Sequence, residues 1–193
     1  MNLYELNDQV LIKTYLEGSD KAFEILLNRH RNKIYTSIYL FVKDEEKAND
    51  IFQDVFIKIV DTLRKGKYNH EGKFLQWAMR ISYNMCVDNF RRNKRRTKVS
   101  SSETFDIFDV LESPDENVET KMIKSQLHNK VRSLVDQLPA EQREVVILRH
   151  YADMSFKEIS QLTRVSINTA LGRMRYALIN LKKMADAKHL NYA

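Results

Sequence analysis

Residues 138–183 read LPAEQREVVILRHYADMSFKEISQLTRVSINTALGRMRYALINLKK, and this stretch decides the fold of the chain. Its spacing of apolar residues predicts a short helix over Ser155–Leu162 and a longer helix over Ile167–Lys183. Thr163–Arg164–Val165 between them predicts a turn, and Ser166 is a residue that starts helices. This is the helix-turn-helix pattern, whose second helix enters a DNA major groove. An ordinary pair of packed helices fits these residues as well.

The residue types around the two helices support both interpretations. Ser155 and Glu158 have the spacing of a capping box. The predicted inner stripe of the second helix is Ala170, Met174, Ala177, Leu178 and Leu181. Its predicted outer face is polar and carries Asn168, Thr169, Arg173, Arg175, Tyr176 and Asn180. Arginine can pair with guanine and asparagine with adenine, so this face suits base reading, although a solvated helix face has the same composition.

The composition of the chain favours a helical protein with a polyanionic partner. The 193 residues are 43% hydrophobic, which is enough for packed cores, and include only 4 Gly and 2 Pro. So few turn residues are typical of an all-α fold. The 32 Lys and Arg residues exceed the 26 Asp and Glu residues, giving a net charge of +6. A basic balance favours nucleic acid, although a modest excess is also common in soluble proteins.

Several classes of protein are disfavoured by what the sequence lacks. Cys86 is the single cysteine, so the chain has no disulfide framework and no CxxC metal site, which fits a reducing compartment. The five histidines are scattered without ligand spacing, and no metal site or cofactor is expected. The first residues do not form a signal peptide, and no apolar run is long enough to span a bilayer. An enzyme would depend on Cys86 and distant histidines, and a small core cysteine is the simpler interpretation.

The first 96 residues predict four helices. They extend over Asp8–Glu17, Lys21–Val42, Asp44–Leu63 and Phe74–Arg96. Asp44 is the predicted N-cap of the third, with two glutamates in its first turn where the helix dipole favours acids. The third helix has an apolar stripe made of Ala48, Ile51, Phe52, Val55, Phe56, Ile59 and Val60. Another face of it is polar and carries Asp50, Gln53, Asp54 and Lys58.

A basic loop and a basic helix end flank the fourth helix. The loop Arg64–Lys73 contains Tyr68, and the helix ends in the run Arg91–Arg96. The predicted apolar positions of the helix are Phe74, Trp77, Ala78, Ile81, Met85, Val87 and Phe90. Aromatic residues beside basic ones are typical of single-stranded nucleic-acid binding. Cations at a helix C-terminus also have a local explanation in the helix dipole, and both interpretations remain open.

The sequence between the two halves changes character. Residues 97–117 are rich in Ser, Asp and Glu, contain Pro114 and lack a sustained period, which predicts a flexible acidic linker. A helical pattern returns over Val118–Leu138, and Pro139 is suited to the first position of the next helix. The predicted organisation is therefore one domain over residues 1–96, a linker over 97–117 and a second domain over 118–193.

The two halves resemble, in order, two regions of bacterial RNA polymerase sigma factors of the sigma-70 family. Residues 138–178 resemble region 4 of the extracytoplasmic-function (ECF, group IV) class. Residues 48–56 resemble region 2, together with Phe74, Trp77, Arg80, Ile81, Asn84, Asp88, Arg91 and Arg92. Two regions with only a linker between them resemble this minimal class. The resemblance covers nearly the whole chain, and both motifs in this order are highly specific.

The resemblance implies a fold of two small all-α domains, a helical bundle and a helix-turn-helix domain, and a function in promoter-specific transcription initiation. Region 2 would bind the clamp coiled coil of core RNA polymerase through Asp50, Gln53, Asp54 and Phe56. It would read and melt the −10 element through Lys65, Lys67, Tyr68, Trp77, Arg80, Asn84, Arg91 and Arg92. Region 4 would contact the polymerase flap and read the −35 duplex through Ser166, Asn168, Thr169, Arg173, Arg175 and Tyr176.

The resemblance also implies partners and a location. Promoter DNA, core polymerase and an anti-sigma factor are the expected partners, with no cofactor, no catalytic residue and no small-molecule substrate. The protein would be cytoplasmic, or held at the inner membrane by a membrane-bound anti-sigma factor. The sequence most resembles sigma factors of the Bacteroidetes type.

Two positions depart from the family pattern. Arg164 stands where the turn often has glycine, and Leu171–Gly172 replaces a basic residue and its neighbour in the recognition helix. The −35 specificity therefore cannot be copied from relatives. The alternative function is a two-domain helix-turn-helix regulator that binds promoters without polymerase, which would have no use for the polar face at Asp50–Phe56.

Overall fold

The computed structural model describes residues 2–69, 72–96 and 131–187, and these residues form helices, turns and loops without a strand. The prediction of an all-α fold is confirmed. The chain divides into two compact units, residues 1–99 with 148–154 and residues 100–147 with 155–193. The predicted linker over 97–117 lies outside the described residues, as does most of the helix predicted over Val118–Leu138.

The first unit is built around one long helix. A short 3₁₀ helix, Leu3–Glu5, precedes α1 (Asp8–Leu16), α2 (Asp20–Val42), α3 (Glu45–Arg64) and α4 (Phe74–Arg96). Helix α2 packs against the other three α-helices. Its inward positions recur at helical spacing, and the fully buried large side chains of this unit include Leu11, Leu26, Ile34, Ile38, Leu40, Ile59, Leu63 and Phe74. All four predicted helices are present to within two residues at each end.

Helix ends in the first unit follow the expected local chemistry. Asp44 Oδ1 accepts a hydrogen bond from the backbone N–H of Lys47 at 3.0 Å, which confirms Asp44 as an N-cap. Ser19 occupies the N-cap position of α2, but its side chain makes no capping hydrogen bond. One predicted core position is wrong: Phe90 is 56% exposed, because it lies near the end of α4.

The second unit contains the helix pair that the opening stretch predicts. Residues 131–136 are helical (α5), followed by α6 (Ala140–His150), α7 (Phe156–Thr163) and α8 (Ile167–Ala187). Helix α7 packs on α8, and Ile159, Ala170 and Ala177 are buried in this unit. None of the helices in the described parts of the chain combines the length and hydropathy needed to cross a membrane.

Candidate nucleic-acid interface

The helix pair α7 and α8 has the capping hydrogen bonds that its sequence predicts. Glu158 N–H donates to Ser155 Oγ at 3.2 Å, and Ser155 N–H donates to Glu158 Oε2 at 2.9 Å, which confirms the capping box. Ser166 Oγ accepts from the N–H of Thr169 at 3.0 Å, which confirms the second cap. Arg164 adopts the left-handed conformation at φ 58° and ψ 38°. The turn therefore forms without the glycine that this conformation favours.

The first three turns of α8 present a mixed surface. Asn168, Thr169, Leu171, Arg175 and Tyr176 are exposed, Tyr176 by 61% and Leu171 by 44%. Ser166 is exposed as well, but its hydroxyl is bonded to the Thr169 hydroxyl at 2.8 Å and caps the helix. Four of the six predicted −35 residues thus lie on a surface suited to base contact, and Ser166 fixes the start of the helix beneath them.

Arg173 does not lie on that outer surface. Its side chain is only 20% exposed, and its guanidinium forms ion pairs with Glu141 at 3.2 Å and Glu144 at 3.6 Å, both on α6. Asn180, also predicted to be outward, donates to Gln142 Oε1 of α6 at 2.8 Å. The prediction that these two side chains face outward was wrong, because α6 packs along this flank of α8. Their contacts fix the orientation of α8 instead.

On the opposite flank of α8, a residue that was predicted to be buried is exposed. Leu178, predicted as an inner residue, is 54% exposed. Successive residues of a helix are rotated by about 100° around its axis. Relative to the buried Ala170 and Ala177, this rotation places Arg173 and Asn180 on one side of the helix and Leu178 on the other. The buried stripe is thus rotated towards α6 relative to the stripe that apolar residues alone indicate.

A groove of about 420 Å³ lies between the start of α6 and the start of α8. Its lining includes Gln142, Thr169, Gly172, Arg173 and Tyr176. A β-carbon on Gly172 would meet nothing within 4 Å, so this glycine leaves open space on the outer side of the recognition helix. The groove lets a ligand approach the helix backbone at this position.

A cluster of aromatic rings lies at the base of the basic loop in the first unit. The Tyr68 ring packs edge-on against Trp77 with 4.7 Å between centroids, and Phe74 lies 5.8 Å from Trp77. Trp77 is 8% exposed and Tyr68 is partly exposed, so Tyr68 forms the surface and Trp77 supports it from beneath. Burial, with a smaller contribution from the charge of Asp8, raises the pKa of Tyr68 to about 12. The phenol therefore stays protonated at neutral pH.

Polar and cationic residues precede and follow this aromatic cluster in the sequence, and their side chains are exposed or partly exposed. Asn84 is exposed, Arg80 is partly exposed, and the exposed cations are Lys65, Lys67, Arg91 and Arg92. Lys65 pairs with Asp61 at 2.7 Å and Arg91 approaches Asp88 at 3.7 Å. These pairs are exposed and weak, so both cations are available to phosphate groups.

The polymerase contact residues that the resemblance implies on α3 include one buried side chain. Asp50, Gln53 and Asp54 are exposed, but Phe56 is only 9% exposed and packs on Phe52 at 4.7 Å between ring centroids. Phe56 therefore lies in the core, as its place in the predicted apolar stripe indicates. Sequence reasoning missed Ile57, which is 67% exposed. The signal was present, since Ile57 follows Asp50, Gln53 and Asp54 at the spacing i, i+3, i+4 and i+7 of one helix face.

Cys86 is a core residue. It is 1% exposed, and burial raises the pKa of its thiol to about 12. A thiol that remains protonated is a poor nucleophile, so the residue contributes packing.

Comparisons with known proteins agree with this arrangement. The family model described as Sigma-70 region 2 matches residues 26–96, and the one described as Sigma-70, region 4 matches residues 128–177. The RNA polymerase sigma-H factor of Pseudomonas aeruginosa is 27% identical over 180 residues, covering 89% of this chain and 90% of that protein. The ECF RNA polymerase sigma factor SigW of Bacillus subtilis is 24% identical, covering 89% and 93%.

Two solved structures share the fold. The sigma factor RpoE in complex with the anti-sigma factor NepR from Bartonella quintana has a TM-score of 0.63 at 17% identity, covering 86% of this chain and 98% of that chain. CnrH in complex with the cytosolic domain of CnrY has a TM-score of 0.58 at 22% identity, covering 93% and 97%. The two matched regions and the sigma-factor relatives show that the chain belongs to the extracytoplasmic-function class of the sigma-70 family and is an RNA polymerase sigma factor that directs promoter-specific transcription initiation.

Proposed function

We propose that the chain divides promoter reading between two surfaces. Residues 1–96 would bind the polymerase clamp and capture the −10 element, residues 97–117 would link the domains, and residues 118–193 would read the −35 duplex and contact the flap. The observation that carries this proposal is the contrast between a packed aromatic cluster beside a basic loop and an exposed helix behind a capped turn. The first suits unstacked bases and the second suits a major groove.

The −10 surface holds a strand after the duplex opens. Tyr68 offers a ring for stacking and Trp77 supports that ring, while Asn84 contacts the edge of an unstacked base. Arg80, Arg91, Arg92, Lys65 and Lys67 contact the strand backbone. Stacking on an aromatic side chain contributes about 1–3 kcal/mol per base, which offsets the few kcal/mol lost when a base leaves the duplex. Opening therefore needs binding energy and no chemical step on the protein.

The −35 surface reads closed duplex DNA. Asn168, Thr169, Arg175 and Tyr176 contact the major groove, with Leu171 beside them. An apolar side chain at this position favours contact with a thymine methyl group, and Gly172 lets the helix approach closely. Arg173 and Ser166 act on the helix itself, since one is paired to α6 and the other caps the first turn.

The polymerase surface on α3 consists of Asp50, Gln53, Asp54 and Ile57. Three of these side chains are polar or acidic and the fourth is apolar, which is a composition that suits a helical partner with basic and apolar residues. Phe56 supports this surface from the core.

Partners and location follow from the class of protein. The sigma factor has no catalytic function of its own, and the phosphodiester chemistry belongs to core polymerase. The protein acts in the cytoplasm, and an anti-sigma factor, which can be membrane-bound, restrains it. CnrH and RpoE were each solved in complex with a second protein, and the RpoE partner is named an anti-sigma factor. The alternative of a regulator without polymerase is not favoured, because both sigma regions match the chain.

Transcription in vitro tests the proposal. Purified core polymerase is assayed on promoter templates with and without the protein, beside a variant in which Asp50, Gln53, Asp54 and Ile57 are replaced by alanine. We expect promoter-specific starts with the natural protein and loss of core binding with the variant, whose −35 surface is unchanged. Normal core binding by that variant would refute the assignment of α3.

A further inference from the structure

The N-terminal segment of the first unit is tied to α2 through one carboxylate. Asp8, the first residue of α1, accepts a hydrogen bond from Arg29 Nη1 at Oδ1 and pairs with His30 Nε2 at Oδ2, each at 2.7 Å. Arg29 Nη2 also donates to the carbonyl oxygens of Tyr4 at 3.1 Å and Leu6 at 2.9 Å. One guanidinium therefore holds both the 3₁₀ helix and the start of α1 against α2.

Two groups of this network, Asp8 and His30, are largely withdrawn from water. The side chains of Asp8 and His30 are 20% and 11% exposed. Burial alone would raise the pKa of Asp8, but the hydrogen bonds and charges of His30 and Arg29 outweigh it and hold the pKa below its usual value. The carboxylate is therefore ionised at neutral pH, and removing it leaves the side chains of Arg29 and His30 without this acceptor.

The network continues into the proposed −10 surface. The His30 ring lies 5.4 Å from the ring of Phe74, the fully buried first residue of α4, and Phe74 in turn contacts Trp77. Helix α1 also lies near the loop, since Gln9 Nε2 is 4.0 Å from the position that a β-carbon would take on Gly72. His30 thus links Asp8 to the start of α4, and α1 lies beside the end of the basic loop.

We propose that Asp8, Arg29 and His30 form an anchor that positions the Tyr68–Trp77 cluster for strand capture. None of the three contacts DNA. They act through Phe74 and the loop, so they are positioning residues for the opening step. This inference rests on the proposed −10 role of Tyr68.

The experiment uses holoenzyme assembled from core polymerase and the full-length chain. The probe is a fluorescent single-stranded oligonucleotide carrying the non-template −10 sequence, and its affinity is measured by anisotropy. We expect Asp8→Ala and His30→Leu to weaken oligonucleotide binding about tenfold, with core affinity unchanged within about twofold. The free full-length chain has one tryptophan, so its fluorescence, measured without core polymerase, reports the environment of Trp77 directly, and we expect a shifted emission maximum in both variants.

Three controls separate positioning from loss of stability. His30→Gln keeps an N–H donor for Asp8, and we expect it to bind the oligonucleotide as the natural chain does. Glu24→Gln removes an exposed ion pair with Lys21 on the same helix, and we expect no change. Ile59→Val lowers the melting temperature of the same unit from a fully buried position on α3.

The outcomes differ clearly. Weakened capture in Asp8→Ala, with normal capture in Ile59→Val at an equal loss of melting temperature, supports the anchor. Equal weakening in both, or normal capture and unshifted fluorescence in Asp8→Ala, overturns it. A Tyr68→Ala holoenzyme separates this inference from the proposed function: normal capture by Tyr68→Ala refutes the −10 assignment, whereas impaired capture by Tyr68→Ala with normal capture by Asp8→Ala refutes only the anchor.

Discussion

The two proposed DNA-reading surfaces differ in what supports them. In the first unit, Tyr68 rests on Trp77 and Phe74, and both of the supporting rings are buried. In the second unit, the exposed residues at the start of α8 project from a helix whose buried side carries alanines, and Arg173 and Asn180 tie that helix to α6. An unstacked base needs a rigid flat support, whereas a major groove needs long side chains at fixed positions on a helix. Stability and function are therefore coupled in the first surface and separable in the second.

The largest expected effect is the loss of stability when the aromatic support of Tyr68 is removed. Trp77→Ala removes a buried side chain, and we expect the free energy of unfolding to fall by about 3–5 kcal/mol. Tyr176→Ala is the matched aromatic truncation on α8, where the side chain is 61% exposed, and we expect a change within about 0.5 kcal/mol. Urea unfolding followed by far-ultraviolet circular dichroism measures both. Similar losses in the two variants would remove the contrast between the surfaces.

A smaller effect tests the orientation of α8. Replacing Glu141 and Glu144 together by glutamine removes the ion pairs of Arg173, and we expect −35 specificity to weaken by about 0.5–1 kcal/mol because the pairs are partly exposed. The measurement is duplex affinity for a −35 sequence relative to a scrambled one, which cancels the general gain from removing negative charge. If Arg173 read bases directly, releasing it would increase this ratio, contrary to the positioning role.

The smallest effect concerns the turn. Arg164 has a left-handed backbone conformation that L side chains disfavour, and Arg164→Gly removes this cost. Because glycine also adds entropy to the unfolded chain, we expect the free energy of unfolding to rise by less than about 1 kcal/mol. Arg164→Ala keeps the unfavourable conformation and serves as the control. Thermal unfolding compares the two variants, and equal melting temperatures would show that the turn is not strained.

Local chemistry explains which features could be predicted from the sequence. Asp44, Ser155 with Glu158, and Ser166 form caps because their side chains bond backbone groups three residues away, so a short stretch of sequence contains both partners. The position of α6 beside α8 depends on residues about 30 positions apart in the chain. For that reason the environments of Arg173 and Leu178 were predicted wrongly.

Phe56 shows how far the apolar pattern of α3 reaches. The predicted apolar stripe includes Phe56, and its packing on Phe52 confirms the core position, whereas its assignment to the polymerase surface came from the family resemblance alone. The anchor of Asp8 to Arg29 and His30 was not predicted, since its partners lie more than 20 residues away and match no local motif.

One experiment directly tests whether the first unit captures the −10 element while the second unit reads the −35 duplex. Holoenzymes carrying Asn84→Ala or Arg175→Ala are compared for binding to a −35 duplex and for permanganate reactivity of thymines in the −10 element. We predict that Asn84→Ala binds the duplex normally but leaves the thymines unreactive. We predict that Arg175→Ala binds the duplex weakly but captures a single-stranded −10 oligonucleotide normally. Failure of both variants at the same step would contradict the account.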